Sequence, residues 1–175
     1  MISKLFQHAI LDCYAHYFVT SDNQFGFKKH LWYRQAIYSI RSVIEHYTGN
    51  GSTVSVCSLD LSKAFDRTNH YALLTKLMER KLPNEILNIL EQWFNISITC
   101  VKWNACVSSF FRLMAGVRQG GVLSPFLFAI FIDNLVDKVK ATGVGCYLLS
   151  FCVSIFLYAD DILLIAPSVS ALQKC

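Results

Sequence analysis

Apolar residues recur along this chain at several different spacings, and each spacing predicts a different kind of element. In residues 2–18, Leu5, Phe6, Ala9, Ile10 and Cys13 fall three or four apart, as on one face of an amphipathic helix. The turn cluster Ser21-Asp22-Asn23 ends it. A second helix is predicted over 31–47, with Ala36, Ile37, Ile40, Val43, Ile44 and Tyr47 as its apolar stripe and Arg34 and Arg41 together on the opposite face. Leu73, Leu74, Leu77 and Met78 predict a third helix over 69–81, stopped before Pro83. Asn84 is a candidate cap for a fourth, which buries Ile86, Leu87, Leu90, Trp93 and Phe94. Ser124-Pro125 is a strong helix start, and Phe128, Phe131, Ile132, Leu135, Val136 and Val139 carry that helix toward Gly143.

Between these stretches the pattern changes to runs rich in Val, Ile and Thr. Thr53–Leu61 reads as a strand ending around Asp60. Residues 98–103 and 105–113 read as a β-pair that turns near Asn104. Phe156-Leu157-Tyr158 and Ile162-Leu163-Leu164-Ile165 read as two buried strands, and the short polar break between them reads as a tight turn. Helices and strands interleave, so the class is α/β or α+β.

At 175 residues the chain is one ordinary domain with room for a core. Its 54% apolar and 16% charged content is more apolar than the globular norm. The uncharged run Ala141–Ala159 approaches the length of a bilayer span. Gly143, Gly145, Ser150 and Ser154 interrupt it, and it runs directly into Asp160, so short buried strands account for it better than a membrane helix. No secretory signal is visible. Seven cysteines without a Cys-x-x-Cys pair suggest reduced thiols, which together predict an intracellular protein of nucleus or cytoplasm, not secreted. The net charge of +4 permits a polyanionic partner without demanding one.

The chemistry centres on Asp160 and Asp161, adjacent carboxylates at a hairpin tip. Like charges held side by side repel, and the nearest basic residues along the chain are Lys140 and Lys174. A divalent metal, for which carboxylate oxygens are suitable ligands, would supply the missing charge. Asp60, at the end of another strand, would complete a two-metal site if it came beside that hairpin. By itself Asp60 also fits a solvated strand end, and Asp66 the cap of the next helix. Arg118-Gln119-Gly120-Gly121 is a glycine loop whose backbone can approach a ligand, with Arg118 able to pair with phosphate; an ordinary tight turn fits it too. Lys28, Lys29, Arg34 and Arg41 make the most basic part of the chain, suited either to solvent or to a nucleic acid backbone.

In order, Gln24-Phe25-Gly26-Phe27-Lys28, Ser58-Leu59-Asp60-Leu61-Ser62-Lys63-Ala64-Phe65-Asp66, Gly116-Val117-Arg118-Gln119-Gly120-Gly121-Val122-Leu123-Ser124-Pro125 and Phe156-Leu157-Tyr158-Ala159-Asp160-Asp161 resemble the palm motifs of reverse transcriptases, specifically those of non-LTR (LINE-type) retrotransposons. The resemblance implies an α+β fold: a right-hand polymerase palm, an antiparallel sheet backed by helices, over about 53–175. A residual fingers region would occupy about 1–52, with no thumb, as in a domain cut short at both ends. It implies an RNA-directed DNA polymerase that transfers a nucleotide from dNTP to a 3′-OH primer on an RNA template. Asp60, Asp160 and Asp161 would be the catalytic metal ligands, for two Mg²⁺ ions with Mn²⁺ as substitute. Phe65 would exclude a ribose 2′-OH, while Arg118, Gln119 and Gly120 would contact the incoming nucleotide. Tyr158 would sit beside the primer end, and Lys28, Arg34 and Arg41 along primer or template. Where the family usually has Gly and Ser/Thr after the Gln24 motif, this chain has His30-Leu31-Trp32-Tyr33. The alternative is a catalytically inactive retrotransposon remnant that binds RNA weakly through its basic helix.

Overall fold

The computed structural model describes residues 2–28 and 31–175. In chain order the helices are α1 (Ile2–Tyr14), α2 (Tyr33–Gly49), α3 (His70–Glu79), α4 (Asn84–Ile96), α5 (Ser124–Ala141) and α6 (Val169–Leu172). The strands are β1 (Ser55–Asp60), β2 (Ile98–Thr99), β3 (Lys102–Trp103), β4 (Cys106–Val107), β5 (Phe111–Arg112), β6 (Tyr147–Leu148), β7 (Phe151–Cys152), β8 (Ile155–Tyr158) and β9 (Asp161–Ala166). All the strand pairs are antiparallel, so the class is α+β. The chain forms two compact units, each built from two stretches.

The helical unit combines the residues up to Val19 with Lys63–Phe131. The helix predicted over 2–18 is α-helical to Tyr14 and tightens into a 3₁₀ turn at Ala15–Phe18. Asn69 caps α3 by accepting the Ala72 N–H at 2.9 Å. The cap expected of Asn84 is not formed. Pro83 occupies the capping position with no side-chain bond, and Asn84 is the first helical residue. The predicted β-pair is present in two pieces, β2 with β5 and β3 with β4, and Asn104 takes a left-handed φ of 52° in the tight turn between β3 and β4. Leu73, Leu77, Leu90, Leu123 and Phe128 are fully buried here.

The sheet unit combines Thr20–Ser62 with Ile132–Cys175. Its sheet runs in the order β1-β9-β8. The central strand β9 and its neighbour β8 are apolar without alternation because both faces are covered, whereas β1 lies at an edge and exposes Val56 and Leu59. Helix α2 lies against β8. Val43, Cys146, Phe156 and Ile165 form the centre of this core, with Phe25, Ile40, Tyr47 and Leu163 packed around them. Tyr47 ties α2 to the β6 segment, since its hydroxyl donates to the Tyr147 carbonyl and accepts the Tyr147 N–H. The uncharged run Ala141–Ala159 resolves into β6, β7 and β8, as its glycines predict. Among the described residues no helix is long and apolar enough to cross a membrane.

Candidate active site

The sheet register brings the predicted carboxylates together. Asp60, the last residue of β1, pairs directly with Asp161, the first residue of β9, and Asp161 pairs in turn with Tyr158 at the end of β8. Asp160 lies between them in a two-residue turn, Ala159–Asp160. Ala159 has a φ of +58° while Asp160 does not take positive φ, the pattern of a type II′ hairpin. That turn matches the right-handed twist of the strands, which is why a two-residue connection suffices here.

Directly opposed like charges destabilise a strand pair. Asp60 and Asp161 are exposed and Asp160 half-buried, and among the described residues none of the three carboxylates has a hydrogen bond or ion pair from a protein group. Their oxygens are the hard donors that Mg²⁺ or Mn²⁺ takes, so the donor set suits a divalent cation. Among the described residues no three His, Cys, Asp or Glu side chains stand close enough to form a ready cage. Mg²⁺ suits an open carboxylate cluster of this kind, since it keeps several waters and draws further ligands from substrate phosphates.

Gln24 lies beside this turn and is fully buried. Its side-chain oxygen accepts the N–H of Gly26 at 2.9 Å and of Ala159 at 3.3 Å. The backbone around it pairs with β8. The Phe25 N–H donates to the Leu157 carbonyl, the Leu157 N–H to the Asn23 carbonyl, both at 2.8 Å, and Gln24 forms a parallel bridge with Leu157.

The basic residues of this unit are in different situations. Lys28 Nζ donates to the Ser21 carbonyl at 2.5 Å and stands 4.0 Å from Asp22. Burial pushes its ammonium below the ordinary lysine value, against the pull of Asp22 and Asp133. Arg41 Nε donates to Glu45 at 2.6 Å, one helical turn on, and that bond raises its pKa. Arg34 is exposed. Lys29 and His30 lie outside the described residues.

The glycine loop belongs to the helical unit. Arg118, Gln119 and Gly120 are exposed, and Gly120 takes a φ of +76° with open space where a Cβ would stand. Gln119 Nε2 reaches Asp66 Oδ1 at 3.4 Å. A second buried glutamine anchors the far end of this loop. Gln7 on α1 accepts the N–H groups of Val122 and Leu123 at 2.6 and 3.0 Å, and its own amide donates to Ser3. Phe65 stacks on the buried Phe128 ring, with centroids 4.8 Å apart and planes 18° from parallel. Sequence reasoning named Phe128 only as part of the apolar stripe of α5 and did not single out Gln7. Gln7 had a signal, as a lone amide in line with Ser3 and Ile10 on an apolar helix face.

The profile of the family described as reverse transcriptase (RNA-dependent DNA polymerase) matches residues 1–175, and the chain belongs to that family. Its relatives are proteins of non-LTR retrotransposons. It is 29% identical over 128 residues to the Pol polyprotein of the type-1 retrotransposable element R2 of Popillia japonica, covering 70% of this chain and 21% of that protein. It is 32% identical over 117 residues to the RNA-directed DNA polymerase from mobile element jockey of Drosophila funebris, covering 67% of this chain and 12% of that protein. The chain thus spans about a fifth or less of the length of these relatives. In fold it is similar to telomerase from Candida tropicalis solved with a fragment of telomeric RNA, with a TM-score of 0.64, 18% identity, and coverage of 99% of this chain and 30% of that one.

Proposed function

We propose that this chain is the palm, with part of the fingers, of an RNA-directed DNA polymerase that extends a 3′-OH primer with dNTPs on an RNA template. The observation that carries the reading is the register of Asp60 against Asp161 with Asp160 in the adjoining turn. Asp60, Asp160 and Asp161 are the residues to hold two Mg²⁺, or Mn²⁺ in their place. When bound, such ions supply positive charge that lowers the pKa of the primer hydroxyl and neutralises the leaving pyrophosphate. The protein holds the carboxylates on paired strands, so little reorganisation is needed as charge develops.

The other parts take matching roles. Phe65, fixed in plane by Phe128, presents a flat apolar edge that would exclude a ribose 2′-OH. Gly120 leaves its backbone open to approach, and Arg118 and Gln119 offer donors for phosphate and base. Tyr158, 40% exposed beside Asp161, offers a ring to the primer end. Arg34 offers phosphate contact on α2. Arg41 would have to exchange Glu45 for a phosphate, and Lys28 would have to leave the Ser21 carbonyl. The palm is assigned to about 53–175 and the fingers remainder to about 1–52, acting inside the cell.

Primer extension on an RNA template with Mg²⁺ tests the reading. Asp160→Asn should lower incorporation at least about a hundredfold, the scale of losing one preorganised electrostatic group. Equal background incorporation by both chains would overturn it. A second reading, a non-catalytic RNA-binding remnant, draws on the absence of a ready three-residue cage among the described residues. It predicts salt-dependent RNA binding, lost on Arg34→Ala with Arg41→Ala, and no incorporation.

A further inference from the structure

We infer that Gln24 is a positioning residue for the acidic turn, fixing the Tyr158–Ala159 peptide at its entry through its side-chain carbonyl; this rests on reading Asp60, Asp160 and Asp161 as cation ligands. Gln24 touches none of the reacting groups named above. It acts on Asp160 through the backbone of the preceding residue.

A fully buried polar side chain must be satisfied or it destabilises the fold. Gln24 is satisfied at its oxygen: Oε1 takes the Gly26 and Ala159 N–H groups, while Nε2 has no partner among the described residues. The oxygen is therefore the part of the side chain engaged with the turn. Its partner, Ala159, is a non-glycine residue at positive φ. Such a conformation persists only where the surroundings over-determine it. Three features do so here. Strand pairing closes the turn on both sides, with Tyr158 opposite Asp161. The Asn23–Phe25 backbone is laid along β8, and Asn23 Nδ2 donates to the Ile155 carbonyl at 2.9 Å. Finally, Gly26 lies so close that an added Cβ would run into the Ala159 backbone nitrogen and Cα. Gln24 and Gly26 are thus shaped against one peptide, Tyr158–Ala159, which sets the residue preceding Asp160.

A neutral amide suits the position. A leucine would leave the buried Gly26 N–H and the half-buried Ala159 N–H without this acceptor. A carboxylate would add negative charge beside a turn that already carries two acidic residues.

The test compares wild type with Gln24→Met, which keeps the length and removes the acceptor, and with Gln24→Glu, which keeps an oxygen in either protonation state. Two properties are read: exchange of the Ala159 amide by NMR, and Mn²⁺ affinity by electron paramagnetic resonance well below the unfolding temperature. The Ala159 amide should be protected in wild type. In Gln24→Met it should exchange roughly tenfold faster or more, and Mn²⁺ should bind roughly tenfold more weakly. Gln24→Glu should restore protection to within about threefold of wild type. A merely structural role would lower the melting temperature and leave Mn²⁺ affinity of the folded protein unchanged. Ala159 exchanging freely in wild type, a measurement that needs no variant, overturns the inference, as does equal protection in wild type and Gln24→Met. If wild type and Asp160→Asn bind Mn²⁺ equally weakly, the cation reading falls, and the exchange comparison still decides what Gln24 does.

Discussion

The sheet unit and the helical unit hold the acidic turn and the glycine loop with the same chemistry and leave them in different states. In each, a buried glutamine oxygen accepts two backbone N–H groups. Gln24 grips the acidic turn at its first central residue, next to Asp160, and strand pairing closes that turn on both sides. Gln7 grips the glycine loop only at its exit, at Val122 and Leu123, and leaves Arg118, Gln119 and Gly120 exposed. On the proposed function, the carboxylates would gain from being fixed on paired strands before charge develops. On the same proposal, Arg118, Gln119 and Gly120 would gain from a loop anchored at one end and open at the other.

That contrast can be broken most severely at Gln7. Gln7→Met removes the acceptor of the buried Leu123 N–H and the half-buried Val122 N–H, at about 1–3 kcal/mol for the buried one, and should lower the denaturation midpoint clearly while leaving Mn²⁺ affinity as it was. A parallel loss of Mn²⁺ affinity would mean that the two loops are not held independently. Gly26→Ala comes next. Its new Cβ meets backbone and cannot be relieved by a side-chain rotation, so we expect about 1–3 kcal/mol of destabilisation and a weaker Mn²⁺ complex. Unchanged stability would show that the turn has slack. Ala159→Gly should go the other way, because it relieves a positive φ, and thermal unfolding should show a gain of up to about 1 kcal/mol. The smallest effect is expected at the open end of the glycine loop. Arg118→Ala should change stability by less than about 0.5 kcal/mol. If the proposed function holds, it should raise the KM for dNTP, and an unaltered KM would remove Arg118 from the nucleotide contacts.

Much of the local structure was legible because it depends on neighbours in sequence. The 3–4 spacing on α2 and α5, Ser124-Pro125 at the start of α5, and the acidic break at Asp160-Asp161 between two apolar runs each encode an element in a short window, though the turn itself falls at Ala159–Asp160 and Asp161 opens β9. The Asn84 cap failed within such a window, since Pro83 has the extended backbone that the capping position needs and displaces the start of the helix by one residue. Arg118, Gln119 and Gly120 stood out by residue type and Phe65 by the family resemblance alone, while the exposure and partners of all four were not legible.

The sequence by itself determined the kinds of element, the family to which the chain belongs, and which carboxylates to watch. Tertiary structure alone decided that Asp60 faces Asp161, because strand register is a pairing between segments a hundred residues apart. It likewise decided that two glutamines on unrelated segments are buried. A glutamine is ordinarily a surface residue, and only the approach of distant backbone N–H groups makes its burial favourable.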